Sequence, residues 1–233
     1  TMNIPENTKT AETYIFTKDN LSLSLKYYIP TTNQKPATVL LLHQFRKDKS
    51  SWDKFIPMLL NNGYAVYSID MRGHGKSNSY KDGKEIFYED MPESEWNKIP
   101  HDIDTVMDFI RTNNAVDSSK IVVIGASIGA NTAIIASSMF SDKIKTAVAL
   151  SPGIEYHHLK TFGYAKTAKI PIMIAVAKDD EYARESSIEL NKVITSKHVL
   201  DIYPGSEHGT NLLDITPDLQ NKIVVWLNEN LKK

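Results

Sequence analysis

The chain has 233 residues, of which 41% are hydrophobic and 24% are charged, and its formal net charge is −1. This length suits one well-cored domain, so we expect residues 1–233 to form a single domain. The near-neutral charge gives no electrostatic reason to expect nucleic acid as a partner. The absence of cysteine excludes disulfides, thiolate metal sites and a cysteine nucleophile.

The chain carries no apolar run that approaches the roughly 18 residues of a membrane span, so no span is expected. Residues 1–7 are polar and lack the apolar core of a signal peptide. This favours a cytoplasmic location, although export with a leader removed ahead of residue 1 stays open. The sequence also leaves the oligomeric state open.

Hydrophobic patterning predicts an antiparallel hairpin followed by alternating strands and helices. In the second hairpin strand, Leu21, Leu23 and Leu25 alternate with polar residues, which predicts a half-exposed antiparallel edge. A polar stretch at 77–100 is predicted to be a loop with one short helix. The predicted strands are 12–16, 21–29, 38–42, 64–69, 121–124, 145–150, 170–177 and 198–203. The predicted helices are 52–61, 102–112, 130–139, 183–195 and 217–231.

This alternation predicts an α/β fold with about eight strands, a mostly parallel sheet and helices on both faces. In such sheets, ligands bind beyond the carboxyl ends of the strands. We therefore examine the residues that follow the predicted strands.

The segment 125–129, Gly-Ala-Ser-Ile-Gly, joins a buried strand to a helix of small residues. A serine between two glycines at such a junction is typical of a nucleophile elbow, in which a sharp turn presents the hydroxyl above the sheet. The alternative is a tight turn that needs small residues and has no chemical role. We take Ser127 as the candidate nucleophile.

An activated serine needs a base and a carboxylate that orients it. Among the seven histidines, His208 lies in a turn-rich loop just after the last predicted strand, where its ring can reach Ser127. The orienting acid is expected at a strand end between serine and histidine in the sequence. Asp180 is the first choice, because a short turn commonly separates the strand end from the acid. Asp179 is the alternative, and its non-catalytic role would be to form the turn or to cap the next helix.

The developing oxyanion needs backbone N–H donors. Ile128 follows the nucleophile at a helix start, where free N–H groups favour negative charge. Phe45, after the strand at 38–42, is the second candidate. The alternative for residues 43–45 is a plain loop that buries the Phe45 ring.

Together these segments resemble the α/β-hydrolase superfamily over nearly the whole chain. The matching segments are 40–45, 70–77, 125–129, 177–180 and 207–209. The chain departs from the family pattern at Gln44 and Ala177, where the family usually has glycine. The departure at Gln44 places a polar side chain near the expected oxyanion hole.

The resemblance implies a serine hydrolase with the catalytic residues Ser127, Asp180 and His208 and oxyanion donors Phe45 and Ile128. It implies no cofactor and no metal, and the adjacent His157 and His158 diverge too far to share one. Dehalogenases and epoxide hydrolases of the superfamily use an aspartate nucleophile, so Ser127 argues against both. Residues 151–169 leave room for a loop and about one helix, so we expect no lid domain. Substrate-pocket candidates are Gln44, Tyr156, His157 and Phe162.

The expected activity is hydrolysis of small or short-acyl carboxylic esters, as in small carboxylesterases and dienelactone-hydrolase-like enzymes. The expected partner is a small-molecule ester. Two alternatives remain: the same triad acting on a thioester or a peptide, and a protein of this fold that binds a ligand without catalysis.

Overall fold

The computed structural model describes residues 2–231. Its strands are β1 (Lys9–Phe16), β2 (Leu21–Ile29), β3 (Thr38–Leu42), β4 (Ala65–Ile69), β5 (Ser79–Tyr80), β6 (Ile121–Ala126), β7 (Ile144–Leu150), β8 (Glu155–Tyr156), β9 (Leu159–Lys160), β10 (Ile172–Ala177) and β11 (His198–Tyr203). Its helices are α1 (Ile56–Asn61), α2 (Glu93–Trp96), α3 (Ile99–Arg111), α4 (Ile128–Met139), α5 (Phe162–Lys166), α6 (Glu181–Val193), α7 (Asn211–Ile215) and α8 (Pro217–Leu231).

The main sheet has the strand order β1-β2-β4-β3-β6-β7-β10-β11, and the short strand β5 pairs with β2. Strand β2 runs antiparallel to β1 on one side and to β4 on the other, whereas β4, β3, β6, β7, β10 and β11 run parallel. The predicted mostly parallel sheet is therefore confirmed. Its parallel strands end at one edge of the sheet, where the candidate residues lie.

Strand β3 shows why the central strands are apolar throughout. The side chains of Leu40 and Leu42 enter one apolar cluster, which also contains Ile103 and Met107 of α3. Those of Val39 and Leu41 enter the cluster on the opposite face, with α1, α7 and α8. Because successive side chains of a strand point to opposite faces, a strand covered on both faces needs an uninterrupted apolar run.

The prediction that the second hairpin strand forms a sheet edge is wrong. Strand β2 pairs with β1 on one side and with β4 and β5 on the other, so β1 is the edge. Ser24 is fully buried: its N–H donates to Ser77 Oγ and its hydroxyl accepts from Lys49 Nζ. The polar residue at the centre of β2 thus has protein partners rather than solvent.

Proline explains why two of the helices begin elsewhere than predicted. The segment predicted as a helix over 52–61 divides into a 3₁₀ turn at Lys49–Trp52 and helix α1, which begins at Ile56. Proline lacks an N–H, and inside a helix its ring would clash with the preceding turn, so it fits only in the first turn. Pro57 lies in the first turn of α1, which explains why this helix begins at Ile56. Pro100 likewise occupies the first turn of α3, which begins at Ile99 rather than at residue 102.

Two connecting segments at the carboxyl edge contain only short elements. The segment 77–100 holds β5, a 3₁₀ turn at Tyr88–Asp90 and helix α2. Between β7 and β10 the chain forms the small hairpin β8–β9 and helix α5, in keeping with the room expected there. Within residues 2–231, no helix has the length and apolar character needed to cross a bilayer.

Candidate active site

Ser127 occupies a strained turn between β6 and α4. Its backbone has φ +56° and ψ −113°, an uncommon conformation for a residue with a side chain. A Cβ added to Gly125 would lie 1.9 Å from the carbonyl oxygen of Gly129. Only glycine allows β6 and α4 to approach this closely. The Ser127 N–H donates to the Leu150 carbonyl at 2.9 Å, which ties the turn to the end of β7.

His208 links Ser127 to a carboxylate. Its Nε2 lies 2.8 Å from Ser127 Oγ, and its Nδ1 lies 2.5 Å from Asp180 Oδ2. A carboxylate accepts hydrogen bonds, so Nδ1 carries the proton and Nε2 is free to accept one from the serine hydroxyl. The structure therefore brings together the three predicted side chains, which come from the ends of β6, β10 and β11.

Asp179, the alternative acid, has a different environment. It is exposed, and its backbone N–H donates to the Gly205 carbonyl at 2.9 Å. Asp180, by contrast, directly precedes α6 and has a side chain that is only 16% exposed beside His208. The geometry favours Asp180 as the partner of the imidazole.

The peptide group between Gln44 and Phe45 is oriented by a buried histidine. The Nδ1–H of His43 donates to the Gln44 carbonyl at 2.8 Å, and the Met71 N–H donates to His43 Nε2 at 2.9 Å. Complete burial lowers the pKa of His43, so the ring is neutral with its proton on Nδ1. In a trans peptide the N–H points opposite to the carbonyl, so the Phe45 N–H faces away from His43.

Ile128, the other predicted donor, is the first residue of α4. Its N–H lies in the first turn, where backbone donors have no acceptor within the helix. The helix start lies close to the end of β3 at Gly129. A Cβ at this position would lie 2.2 Å from the Leu42 carbonyl oxygen, so only glycine allows the approach. The helix start and the segment carrying Phe45 are therefore neighbours at the carboxyl edge.

The four predicted pocket residues have different surroundings. The Tyr156 ring lies perpendicular to the His208 ring, with centroids 6.1 Å apart, and burial raises the pKa of its hydroxyl. The His157 ring lies against Phe45, with centroids 4.0 Å apart and planes tilted by 34°, and it stacks on Trp96 at 4.7 Å. Both residues thus lie beside the candidate site.

The side chains of Gln44 and Phe162 contact other parts of the protein. The Gln44 side chain is buried and hydrogen-bonded to Thr210. Phe162, at the start of α5, packs against an apolar cluster that contains Ala130 and Ile134, and Lys166 Nζ lies 4.6 Å from its ring centroid. Their role in substrate contact stays a prediction without geometric support.

Several supporting residues were not found by sequence reasoning. The Tyr182 hydroxyl donates to the Glu155 carbonyl at 2.9 Å and so holds hairpin β8–β9 beside α6. The buried Asn131 side chain donates to the Leu159 carbonyl and accepts from the Gly153 N–H. A buried asparagine inside an apolar helix is a signal for such a role, whereas the exposed Tyr182 gives none.

The two adjacent histidines diverge, as expected. His157 contacts aromatic rings, whereas His158 Nδ1 lies 3.9 Å from Glu93 Oε2. Both have positive φ, +47° and +67°, in the two-residue turn of hairpin β8–β9. Across residues 2–231, no group of three or more histidine, aspartate or glutamate side chains is arranged to hold a metal ion.

Comparisons with known proteins agree with this architecture. The family model described as serine aminopeptidase, S33, matches residues 33–167, more than half of the chain. A 49-residue segment is 43% identical to epoxide hydrolase B of Mycobacterium tuberculosis, which is 21% of this chain and 14% of that protein. The chain thus matches only a small part of that curated relative.

Solved structures resemble the chain over nearly its full length. An esterase from Pyrococcus furiosus has a TM-score of 0.74 at 21% identity, covering 96% of this chain and 92% of that one. Dienelactone hydrolase from Anabaena variabilis has a TM-score of 0.78 at 14% identity, covering 97% and 100%. At these identities the likeness establishes the α/β-hydrolase fold and not the substrate. Because the family model covers more than half of the chain, the protein belongs to the serine aminopeptidase S33 family, within the α/β-hydrolase superfamily of serine hydrolases.

Proposed function

We propose that this hydrolase cleaves small or short-acyl carboxylic esters through an acyl-enzyme, with Ser127 as nucleophile, His208 as general base and acid, and Asp180 as orienting group. The observation that carries the proposal is the continuous hydrogen-bonded series from Asp180 through His208 to Ser127. A serine is a weak nucleophile on its own and is activated by a base held in this way.

In the first half of the reaction, Ser127 Oγ attacks the ester carbonyl while its proton passes to His208 Nε2. The imidazolium is stabilised by Asp180 at Nδ1. The carbonyl oxygen becomes negative and accepts hydrogen bonds from the Phe45 and Ile128 N–H groups. The tetrahedral intermediate collapses, the bond to the alcohol oxygen breaks, and the alcohol leaves with the proton from His208.

In the second half, water takes the place of the alcohol. His208 removes a proton from water, the resulting nucleophile attacks the acyl carbonyl, and a second oxyanion forms at the same donors. Collapse releases the carboxylic acid and returns the proton to Ser127 Oγ. Every proton transfer in the cycle uses His208 Nε2, so the chemistry requires no group beyond the substrate and water.

The strained backbone of Ser127 supports the same proposal. Unfavourable backbone conformations persist where the surrounding structure determines them, and they concentrate at functional sites. A turn with no chemical role would not need a serine at φ +56° with its hydroxyl on a histidine. This argues against the alternative of a ligand-binding protein without catalysis.

The proposal is tested by labelling and turnover together. The wild-type protein is treated with a fluorophosphonate, and peptide mass spectrometry identifies the labelled residue. Turnover of p-nitrophenyl acetate is measured on the same preparation. We expect a single covalent adduct on Ser127 and loss of turnover in proportion to labelling. Absence of both adduct and turnover would contradict the proposal and favour the ligand-binding alternative.

A second candidate is hydrolysis of an aminoacyl amide by the same three side chains. The description of the family model, serine aminopeptidase, supports it. A panel of esters, thioesters and aminoacyl amides with matched acyl groups separates the candidates. We expect the largest kcat/KM on the short-acyl ester, and a larger value on the aminoacyl amide would favour the peptidase alternative.

A further inference from the structure

We propose that Gln44 and Thr210 are positioning residues, which hold the loop carrying the oxyanion donor in register with the loop carrying the catalytic base. The first loop is residues 43–47, here called the oxyanion loop, and the second is residues 204–210, here called the histidine loop. The inference rests on the proposed function, because it assigns roles to residues that support Phe45 and His208.

The contact between the two side chains uses both halves of the amide. Gln44 Nε2 donates to Thr210 Oγ1 at 2.9 Å, and the Thr210 hydroxyl lies 3.2 Å from Gln44 Oε1. Both residues are 7% exposed. A buried amide that loses its partner pays the full cost of desolvation, so the pair strongly favours one arrangement of the two loops.

On the oxyanion side, Gln44 is fixed through its backbone as well as its side chain. Its carbonyl accepts from His43 Nδ1–H, and this carbonyl belongs to the same peptide group as the Phe45 N–H. A shift of the Gln44 side chain therefore rotates or displaces the donor aimed at the oxyanion. Residue 44 is thus held by His43 at its carbonyl and by Thr210 through its side chain.

On the histidine side, Thr210 stands two residues after His208. The intervening Gly209 donates its N–H to Ser151 Oγ at 2.9 Å, and Ser151 itself has a positive φ of +55° at the end of β7. A Cβ at Gly209 would lie 3.2 Å from Gln44 Cδ, so the two loops pack without a gap. Ser151 thus holds Gly209, and Gln44 holds Thr210, directly after His208.

The consequence is a fixed distance between the base, His208, and the oxyanion donor, the Phe45 N–H. The nucleophile needs His208 Nε2 within hydrogen-bond distance, and the tetrahedral intermediate needs the Phe45 N–H at the same time. Nothing in the triad itself connects these two requirements. The Gln44–Thr210 contact provides the connection.

The test uses isosteric variants, which keep the packing and remove only the hydrogen bonds. Gln44→Met, Thr210→Val and their double variant are compared with Thr210→Ser, which retains the hydroxyl. The matched control is Gln220→Ala, because Gln220 also uses its side-chain amide, donating to the Leu213 carbonyl away from the triad. The measurements are kcat and KM for p-nitrophenyl acetate, the rate of fluorophosphonate labelling, and the melting curve that identifies a folded temperature range.

We expect each single isosteric variant to lower kcat and the labelling rate by about 10-fold with little change in KM, since small misplacements of reacting groups are costly. The double variant should be no slower than the slower single variant, because both substitutions break one contact. Thr210→Ser and Gln220→Ala should keep wild-type rates. If Gln44→Met does not fold, the comparison of Thr210→Val with Thr210→Ser is sufficient to test the inference.

Wild-type rates in both single variants would overturn the inference, as would effects that multiply in the double variant. Equal losses in Thr210→Ser and Thr210→Val would overturn it too, because the hydroxyl would then be irrelevant. A failure of the proposed function looks different, because the wild-type protein itself would then lack turnover and labelling.

Discussion

The carbonyl oxygen of Leu42 lies so close to Gly129 that a Cβ there would come within 2.2 Å of it. This contact sets the start of α4 against the end of β3 and so places the two candidate oxyanion donors side by side. A clash between a Cβ at Gly129 and these neighbours could not be relieved by moving a flexible side chain, since the neighbouring atoms are backbone.

We therefore expect Gly129→Ala to destabilise the protein by about 3 kcal/mol or more, because overpacking against backbone forces the elements apart. Gly163→Ala is the control, since a Cβ at Gly163 in α5 meets nothing within 4 Å. Its stability should stay within about 0.5 kcal/mol of wild type or rise slightly. Urea unfolding followed by circular dichroism measures both, and equal stabilities would contradict the packing argument.

Asp180→Asn should lower kcat by about 10³- to 10⁴-fold without loss of stability, because an amide can donate to Nδ1 and favour the wrong imidazole tautomer. Asp179→Asn changes the same functional group one residue away, where the side chain is exposed. We expect it to retain activity within about threefold, as surface substitutions usually do. Steady-state kinetics on p-nitrophenyl acetate compare the two, and a larger loss in Asp179→Asn would reverse the assignment of the acid.

The His157 ring should matter for the rate, because it covers the Phe45 ring at a centroid distance of 4.0 Å. We expect His157→Ala to lower kcat/KM by about 5- to 10-fold, less than outright removal of an oxyanion donor. His158→Ala is matched in backbone strain, because both positions have positive φ. That variant should remain within about twofold of wild type, and equal effects of the two substitutions would point to the turn rather than the stacked ring.

A buried ion network gives a pH-dependent prediction for stability. Arg72 is 1% exposed and pairs with Asp19, Glu95 and Asp102. Its hydrogen bonds hold the pKa of Asp19 well below its ordinary value of 3.8. The contribution of ionised Asp19 is therefore fully present above that value and is lost as pH falls through the lower folded pKa.

Asp19→Asn should accordingly cost about 1–2 kcal/mol of unfolding free energy at neutral pH. The difference from wild type should shrink as the pH falls from about 4 toward about 2. Asp142→Asn, at an exposed position, is the control and should show no such dependence. Urea titrations at several pH values measure the differences. A constant difference across the acid range would contradict the role of the Asp19 charge.

Much of the fold could be predicted because its strands and helices carry strong local patterns. The apolar run of β3 and the amphipathic pattern of α8 gave the observed bounds. The edge position of β1 could not be predicted from β2, since the partners of Ser24 come from residues 49 and 77. Local patterning reports which side chains are polar, but not which distant residues bind them.

The candidate site likewise has a part that the sequence predicts and a part that it does not. Motif order along the chain led to Ser127, Asp180 and His208, because strand ends in a parallel sheet converge at one edge. The contact between Gln44 and Thr210 spans 166 positions and has no local signature. Such contacts follow from the packing of loops, which depends on the complete fold.

The central claim is that Ser127 is the nucleophile, and its most direct measurement is kcat/KM for p-nitrophenyl acetate in Ser127→Ala and in wild type. We predict a fall of at least about 10³-fold in a variant that remains folded, because loss of the nucleophile leaves only the other contributions to catalysis. A Ser127→Ala protein with near wild-type kcat/KM would contradict the account.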